Sequence, residues 1–187
     1  MTTPRSTAPA PPGPPPSDQA SGAVWYTALT SIAQNRIAVR GYALDEMMGR
    51  LSFADTVYLL LMGELPTPAI GRMLNAILVS SIDHGVTPPS TLAARNVATT
   101  GAPLKDCAAA GILALGPHHG GDLESCMRFL DEGLTWVRGG LSMEDAAERL
   151  ADEGTRGGQA PPGFGHRFHT IDPRAVRLFQ MAMELEV

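Results

Sequence analysis

Ser52-Phe53-Ala54-Asp55-Thr56-Val57-Tyr58-Leu59-Leu60-Leu61-Met62-Gly63-Glu64-Leu65-Pro66-Thr67-Pro68-Ala69-Ile70-Gly71-Arg72-Met73-Leu74-Asn75-Ala76-Ile77-Leu78-Val79-Ser80-Ser81-Ile82 reads as two helices joined by a short turn. Ser52 opens the first, and Asp55 three residues later completes a capping-box arrangement. Phe53, Val57, Leu60 and Leu61 fall on one face, and Gly63 ends the helix. Thr67 caps the second helix, with Pro68 in the first turn, where a missing N–H breaks no intrahelical bond. Its apolar stripe is Ile70, Met73, Leu74, Ile77, Leu78 and Ile82. A period of 3.6 rather than 2 sets the expected class as all-α.

The same signals recur down the chain. Pro88-Pro89-Ser90 opens a helix, and Leu104 to Leu115 is an Ala-rich apolar one. That segment is apolar nearly all round, which predicts a place deep in the core or in a subunit interface. Asp122 to about Leu134 forms a further helix; Ser142, with Glu144 and Asp145 in the first turn, caps the next. Asp172-Pro173 repeats the device before a last helix to Val187, and Gly154 to Gly165 is the one long loop of the second half. Upstream, Ile32, Ile37 and Val39 flank Gln34-Asn35, a stretch with room for one short hairpin. No internal repeat and no βαβ alternation is present.

The first 22 residues are a Pro/Ala/Ser tail, with seven of the 16 prolines between Pro4 and Pro16. Without apolar periodicity such a segment cannot offset its ordering entropy, so an extended or disordered tail is expected. The chain has 187 residues, enough for one domain or slightly more, and the aromatic fraction of 5% leaves packing to aliphatic side chains. A formal charge of −5 without basic clusters argues against nucleic-acid binding and against a polybasic membrane patch. No apolar run approaches the ~20 residues of a membrane span, and no secretory signal opens the chain. A cytoplasmic protein is the default expectation. Cys107 and Cys126 form no C-x-x-C pair and read as two reduced thiols.

Two Gly/His stretches carry the candidate chemistry. In Gly116-Pro117-His118-His119-Gly120-Gly121 the glycines precede a helix, where Gly120 and Gly121 are expected to offer N–H groups to an anionic ligand. His118 and His119 are adjacent, so at most one faces the same pocket; a plain interhelical turn is the alternative. In Gly163-Phe164-Gly165-His166-Arg167 a glycine loop delivers a histidine and an arginine suited to carboxylate or phosphate. His166 and His169 lie three apart, but no acidic or Cys partner completes a metal shell, so no metal is expected. His84, between Asp83 and Gly85, reads alone as a histidine at a helix C-terminus.

Taken together and in order, these segments resemble the citrate synthase superfamily, particularly its shorter citryl-CoA lyase-like members. The resemblance runs from about Trp25 to Leu185. It rests on Arg40-Gly41-Tyr42, the Tyr58-Leu59-Leu60-Leu61 run into Gly63-Glu64-Leu65-Pro66, Asp83-His84, the Gly-Pro-x-His-Gly-Gly turn at 116–121, Gly163 to Arg167, and Asp172-Pro173-Arg174. It implies a citrate synthase-like helical fold: residues 23–115 as the first part of a large domain and 116–187 as the start of a small one. It implies a thioester enol or enolate stabilised by His119 and a ketone polarised by His166. His84 and Arg174 would hold carboxylates, and the loop with Gly163, Phe164 and Gly165 would lie against CoA. The implied partners are acetyl-CoA or citryl-CoA and oxaloacetate or a similar oxo-acid, with a homodimer as the assembly. CoA enters as substrate, with no further cofactor.

Two departures stand out. Gly85 occupies a position where citrate synthases commonly carry a glutamate. The family's catalytic aspartate lies well beyond the Gly-Phe-Gly-His-Arg motif, and nothing after Arg174 matches it: Glu184 and Glu186 are the acidic residues that follow. The resemblance therefore implies either part of an enzyme that makes or cleaves citryl-CoA, or a shortened homologue that binds a carboxylate, CoA or a longer homologous subunit without turnover. Either way, helix faces left uncovered predict association or poor solubility of the chain alone.

Overall fold

A computed structural model of the chain describes residues 27–156, 158, 160–166 and 168–187. The Pro-rich tail at 1–22, Trp25 and Arg167 lie outside the described residues.

A three-stranded antiparallel sheet opens the described chain, in the order β1 (Thr30–Ala33), β2 (Arg36–Val39) and β3 (Tyr42–Ala43). The hairpin expected at Gln34-Asn35 is present, with Ile32 opposite Ile37 and Asn35 at φ 59°. The second turn, Arg40-Gly41, takes positive φ at both residues (50° and 87°), the twist that two-residue hairpins favour. This turn accounts for the Arg40-Gly41-Tyr42 motif structurally. Arg40 sends its guanidinium to the Leu60 carbonyl at 2.8 Å, one of the last carbonyls of the following helix and without an intrahelical partner.

Eight helices follow among the described residues: α1 (Leu44–Met47), α2 (Phe53–Met62), α3 (Pro68–Ser80), α4 (Pro89–Ala98), α5 (Leu104–Leu113), α6 (Leu123–Arg138), α7 (Met143–Thr155) and α8 (Pro173–Leu185). The starts read from sequence hold. Ser52 Oγ accepts from Asp55 N–H at 3.0 Å while Asp55 accepts from Ser52 N–H at 3.1 Å. Thr67 and Ser142 cap α3 and α7 through the N–H groups of Ile70 and Asp145. Gly63 ends α2 in the left-handed conformation. The class is mostly helical, with the small sheet added.

Contacts divide the chain into two compact units: the part up to Ile82 together with Arg174–Val187, and Asp83–Pro173. In the first, α2 packs on α3, and α1 on β2 and β3. In the second, α4 packs on α5 and α6 on α7. Trp136 of α6 lies 3.9 Å beneath the Arg149 guanidinium of α7.

Burial corrects three readings of the periodicity. On α2 the buried residues are Ala54 and Leu59, whereas Phe53 and Leu61 are 81% and 73% exposed. The helix is apolar nearly all round, Asp55 and Thr56 apart, so its sequence could not choose a face. On α3, Ile70, Met73, Leu74 and Leu78 are half-buried, but Ile77 and Ile82 are exposed. On α5 only Cys107 is buried; Leu104 and Leu113 are each 85% exposed. This helix is not deep in the core of its own chain.

Candidate functional site

The Asp83–Pro173 unit carries both Gly/His motifs. α3 ends at Ser80, so His84 does not cap a helix; it lies in the exposed connection that follows. That connection is tied to α4 by Thr91 Oγ1 donating to the Gly85 carbonyl (3.2 Å) and Arg95 donating to the Val86 carbonyl (3.3 Å). Gly85 takes φ +82°, a conformation in which any side chain would be strained.

α4 and α5 approach closely because Gly111 of α5 faces the Ser90 carbonyl, which a Cβ would meet at 3.2 Å. This packing brings Ser90, in the first turn of α4, to the turn that follows α5. That turn closes as a small hairpin: Gly116 N–H donates to His119 O at 3.0 Å, and His119 N–H to Gly116 O at 2.8 Å. Gly121 N–H also donates to Gly116 O, at 3.0 Å. This corrects one expectation, since the Gly121 amide is spent inside the turn and is not available to a ligand. Glycine at 121 is a steric requirement: an added Cβ would lie 2.6 Å from the Gly116 carbonyl oxygen and 2.7 Å from its carbon.

The turn sends its two histidines apart, as adjacent residues must go. His118 is exposed and His119 half-buried. His119 Nε2 accepts from Ser90 N–H (3.3 Å) and lies 2.9 Å from Ser90 Oγ. The amide can only donate, so Nε2 is the acceptor and Nδ1 is the nitrogen that carries the ring N–H. Ser90 Oγ also lies 3.3 Å from His84 Nε2, so the hydroxyl sits between the two rings. The rings of His84 and His119 stack, with centroids 5.9 Å apart and planes 7° from parallel. The Ser90 amide is one of the orphan donors of the α4 N-terminus, and an imidazole from 29 residues away satisfies it.

Sequence reasoning missed Ser90. The available signal was a hydroxyl in the first turn of a Pro-Pro-Ser helix start, six residues beyond His84, but its partner is visible only in three dimensions.

The second motif is built differently. His166 is exposed, and its Nδ1 accepts from the backbone N–H groups of Phe168 and His169, both at 3.1 Å. Its ring N–H therefore sits on Nε2, the opposite assignment to His119. His169 stacks on it with centroids 4.6 Å apart. The preceding loop rests on α6, where Phe164 meets Phe129 edge-on at 6.4 Å and Gly163 lies against Cys126. Arg174 falls in the other unit, exposed in the first turn of α8. Among the described residues, no group of three or more His, Cys, Asp or Glu gathers to hold a metal. No described helix is long and apolar enough to cross a membrane.

A mostly helical protein with two glycine-flanked imidazoles, each held at a single ring nitrogen, is the class that this fold and site define. The comparisons with known proteins make the class specific. The family described as citrate synthase, C-terminal domain, matches residues 66–187. A citrate synthase of Deinococcus radiodurans is 31% identical over 148 residues, 78% of this chain and 37% of that protein. The structure of citryl-CoA lyase from Hydrogenobacter thermophilus superposes with a TM-score of 0.74 at 45% identity, over 87% of this chain and 61% of that one. ATP citrate lyase from Methanosaeta concilii, solved with (3S)-citryl-CoA, shares the fold (TM-score 0.75) at 19% identity, over 89% of this chain and 27% of that one. The chain belongs to the citrate synthase family. It spans 37% of the length of the Deinococcus enzyme and 61% of the Hydrogenobacter chain.

Proposed function

We propose that this chain takes part in making or cleaving citryl-CoA, with acetyl-CoA and oxaloacetate or a similar oxo-acid as the other ligands. The observation that carries the reading is the Ser90 bridge. By occupying His119 Nε2, it leaves Nδ1–H as a fixed donor. A fixed donor at a thioester carbonyl stabilises the charge that develops as an enolate forms, and it does so without reorganising. His166, fixed by its other nitrogen, offers Nε2–H to the ketone of the oxo-acid. His84, whose Nε2 lies 3.3 Å from Ser90 Oγ, is the partner proposed for a carboxylate. Arg174 supplies a second carboxylate partner, and Gly163, Phe164 and Gly165 a surface for CoA. In the cleavage direction the alcohol proton passes to solvent as the carbon–carbon bond breaks; the bond's electron pair becomes the thioester enolate, which takes up a proton from solvent to give acetyl-CoA, and the former alcohol carbon becomes the ketone.

A second reading is a homologue that binds these ligands or a longer homologous subunit without turnover. It is favoured by Glu184, whose carboxylate is engaged by Arg177 at 2.7 and 3.2 Å and so does not stand ready as a base. The exposed apolar faces of α5 and α8 favour association under either reading, and we assign a homodimer as the assembly.

Incubation with citryl-CoA, with oxaloacetate release followed in a coupled assay, separates the two readings. Cleavage that falls about 100-fold or more in His119→Ala supports the enzyme. Binding of citrate or CoA without cleavage supports the second reading, and neither binding nor cleavage overturns the first reading and the ligand-binding form of the second.

A further inference from the structure

α6 begins two residues after Gly121, so its first turn is fixed to the His119 turn. One turn further on, it meets the loop that ends in His166. Gly163 has φ +80°, and a Cβ built there would stand 2.5 Å from both Cβ and Sγ of Cys126. Phe129, three residues beyond Cys126 on the same helix, contacts Phe164 edge-on. It also faces Gly154, where an added Cβ would lie 2.9 Å from its Cζ and 2.6 Å from Pro161. Phe164 N–H closes the loop onto the Pro161 carbonyl at 3.0 Å. All of these groups belong to the Asp83–Pro173 unit. The Cys126 thiol is free and half-buried, and no hydrogen bond or ion pair explains its placement among the described residues.

We propose that Cys126 is a positioning residue for the His166 loop. Its side chain is the seat on which Gly163 rests, and its size sets how far Phe164 and His166 stand from α6. One helix then holds both histidine motifs at a fixed separation. The chemistry at stake rests on the function proposed above, whereas the seat itself does not.

The test joins thiol chemistry to kinetics. In the full chain, Cys126 is expected to react slowly with an aromatic disulfide reagent. In Gly163→Ala the loop is displaced, and Cys126 is expected to react about tenfold faster while buried Cys107 keeps its rate, with the labelled cysteine identified by peptide mass. Cys126→Leu is expected to lower citryl-CoA cleavage about tenfold. Cys126→Ser, nearly the same size, is expected to restore it at an unchanged melting temperature. An unchanged Cys126 rate in Gly163→Ala overturns the seat, as does wild-type turnover in Cys126→Leu. Should the wild type cleave no citryl-CoA, the catalytic reading falls, and thiol reactivity alone decides the positioning role.

Discussion

The two Gly/His segments look alike in sequence and are built by different physics. The turn at 116–121 is closed by its own backbone: three amide–carbonyl bonds converge on it, and Gly121 faces a carbonyl that cannot move without opening the turn. The loop at 160–166 is held by side chains of α6, with Gly163 on a thiol and Phe164 on a ring. One imidazole is gripped at Nε2 by a helix N-terminus, the other at Nδ1 by two amides of its own loop. A backbone-closed turn is a fixed donor. A side-chain-seated loop is one that substitutions can shift by degrees.

That contrast is broken most severely by Gly121→Ala, because the clash is with backbone. We expect a loss of about 3 kcal/mol, read as a lower urea midpoint. Gly163→Ala meets a side chain and a strained φ, and its expected cost is smaller, about 1–2 kcal/mol by the same measurement. Equal losses at the two glycines would dissolve the distinction. Ser90→Ala keeps the amide donor but removes the hydroxyl between the histidines. It is expected to lower stability by only about 1 kcal/mol while reducing any citryl-CoA cleavage far more than Gly163→Ala does. Ser52→Ala, in the other unit, is a calibration: losing a capping box costs about 1 kcal/mol with no effect on ligand binding.

The smallest expected effect is electrostatic. Hydrogen bonds from Arg177, reinforced by its charge, hold the Glu184 carboxyl below its ordinary range, and the guanidinium is held above its own. A lowered folded-state value means that the pair stabilises the fold above the unfolded carboxylate's titration range. That contribution disappears as pH falls through the folded value. Both groups are exposed, so Glu184→Gln should differ little from wild type in melting temperature near neutral pH, and the difference should vanish in acid.

Much of the fold was legible because capping is local. Ser52 with Asp55, Thr67 with Pro68, and Ser142 with Asp145 each declare a helix within four residues. Faces were less legible. α2 and α5 are apolar nearly all round, so burial on them is decided by what packs nearby, and Leu104 and Leu113 prove exposed in this chain. At the site, the Gly/His residues could be named from sequence, but their wiring could not. The Gly121 amide turns inward, and Ser90 reaches His119 across 29 positions only because Gly111 lets α5 approach α4.

The central claim is that the two histidines carry their ring N–H on opposite nitrogens. Long-range proton–nitrogen NMR correlation of the imidazoles at neutral pH tests it most directly. The account requires the N–H on Nδ1 for His119 and on Nε2 for His166, with the His119 assignment kept in Ser90→Ala, which retains the amide donor. The same tautomer at both rings, or Nε2–H at His119, would contradict it.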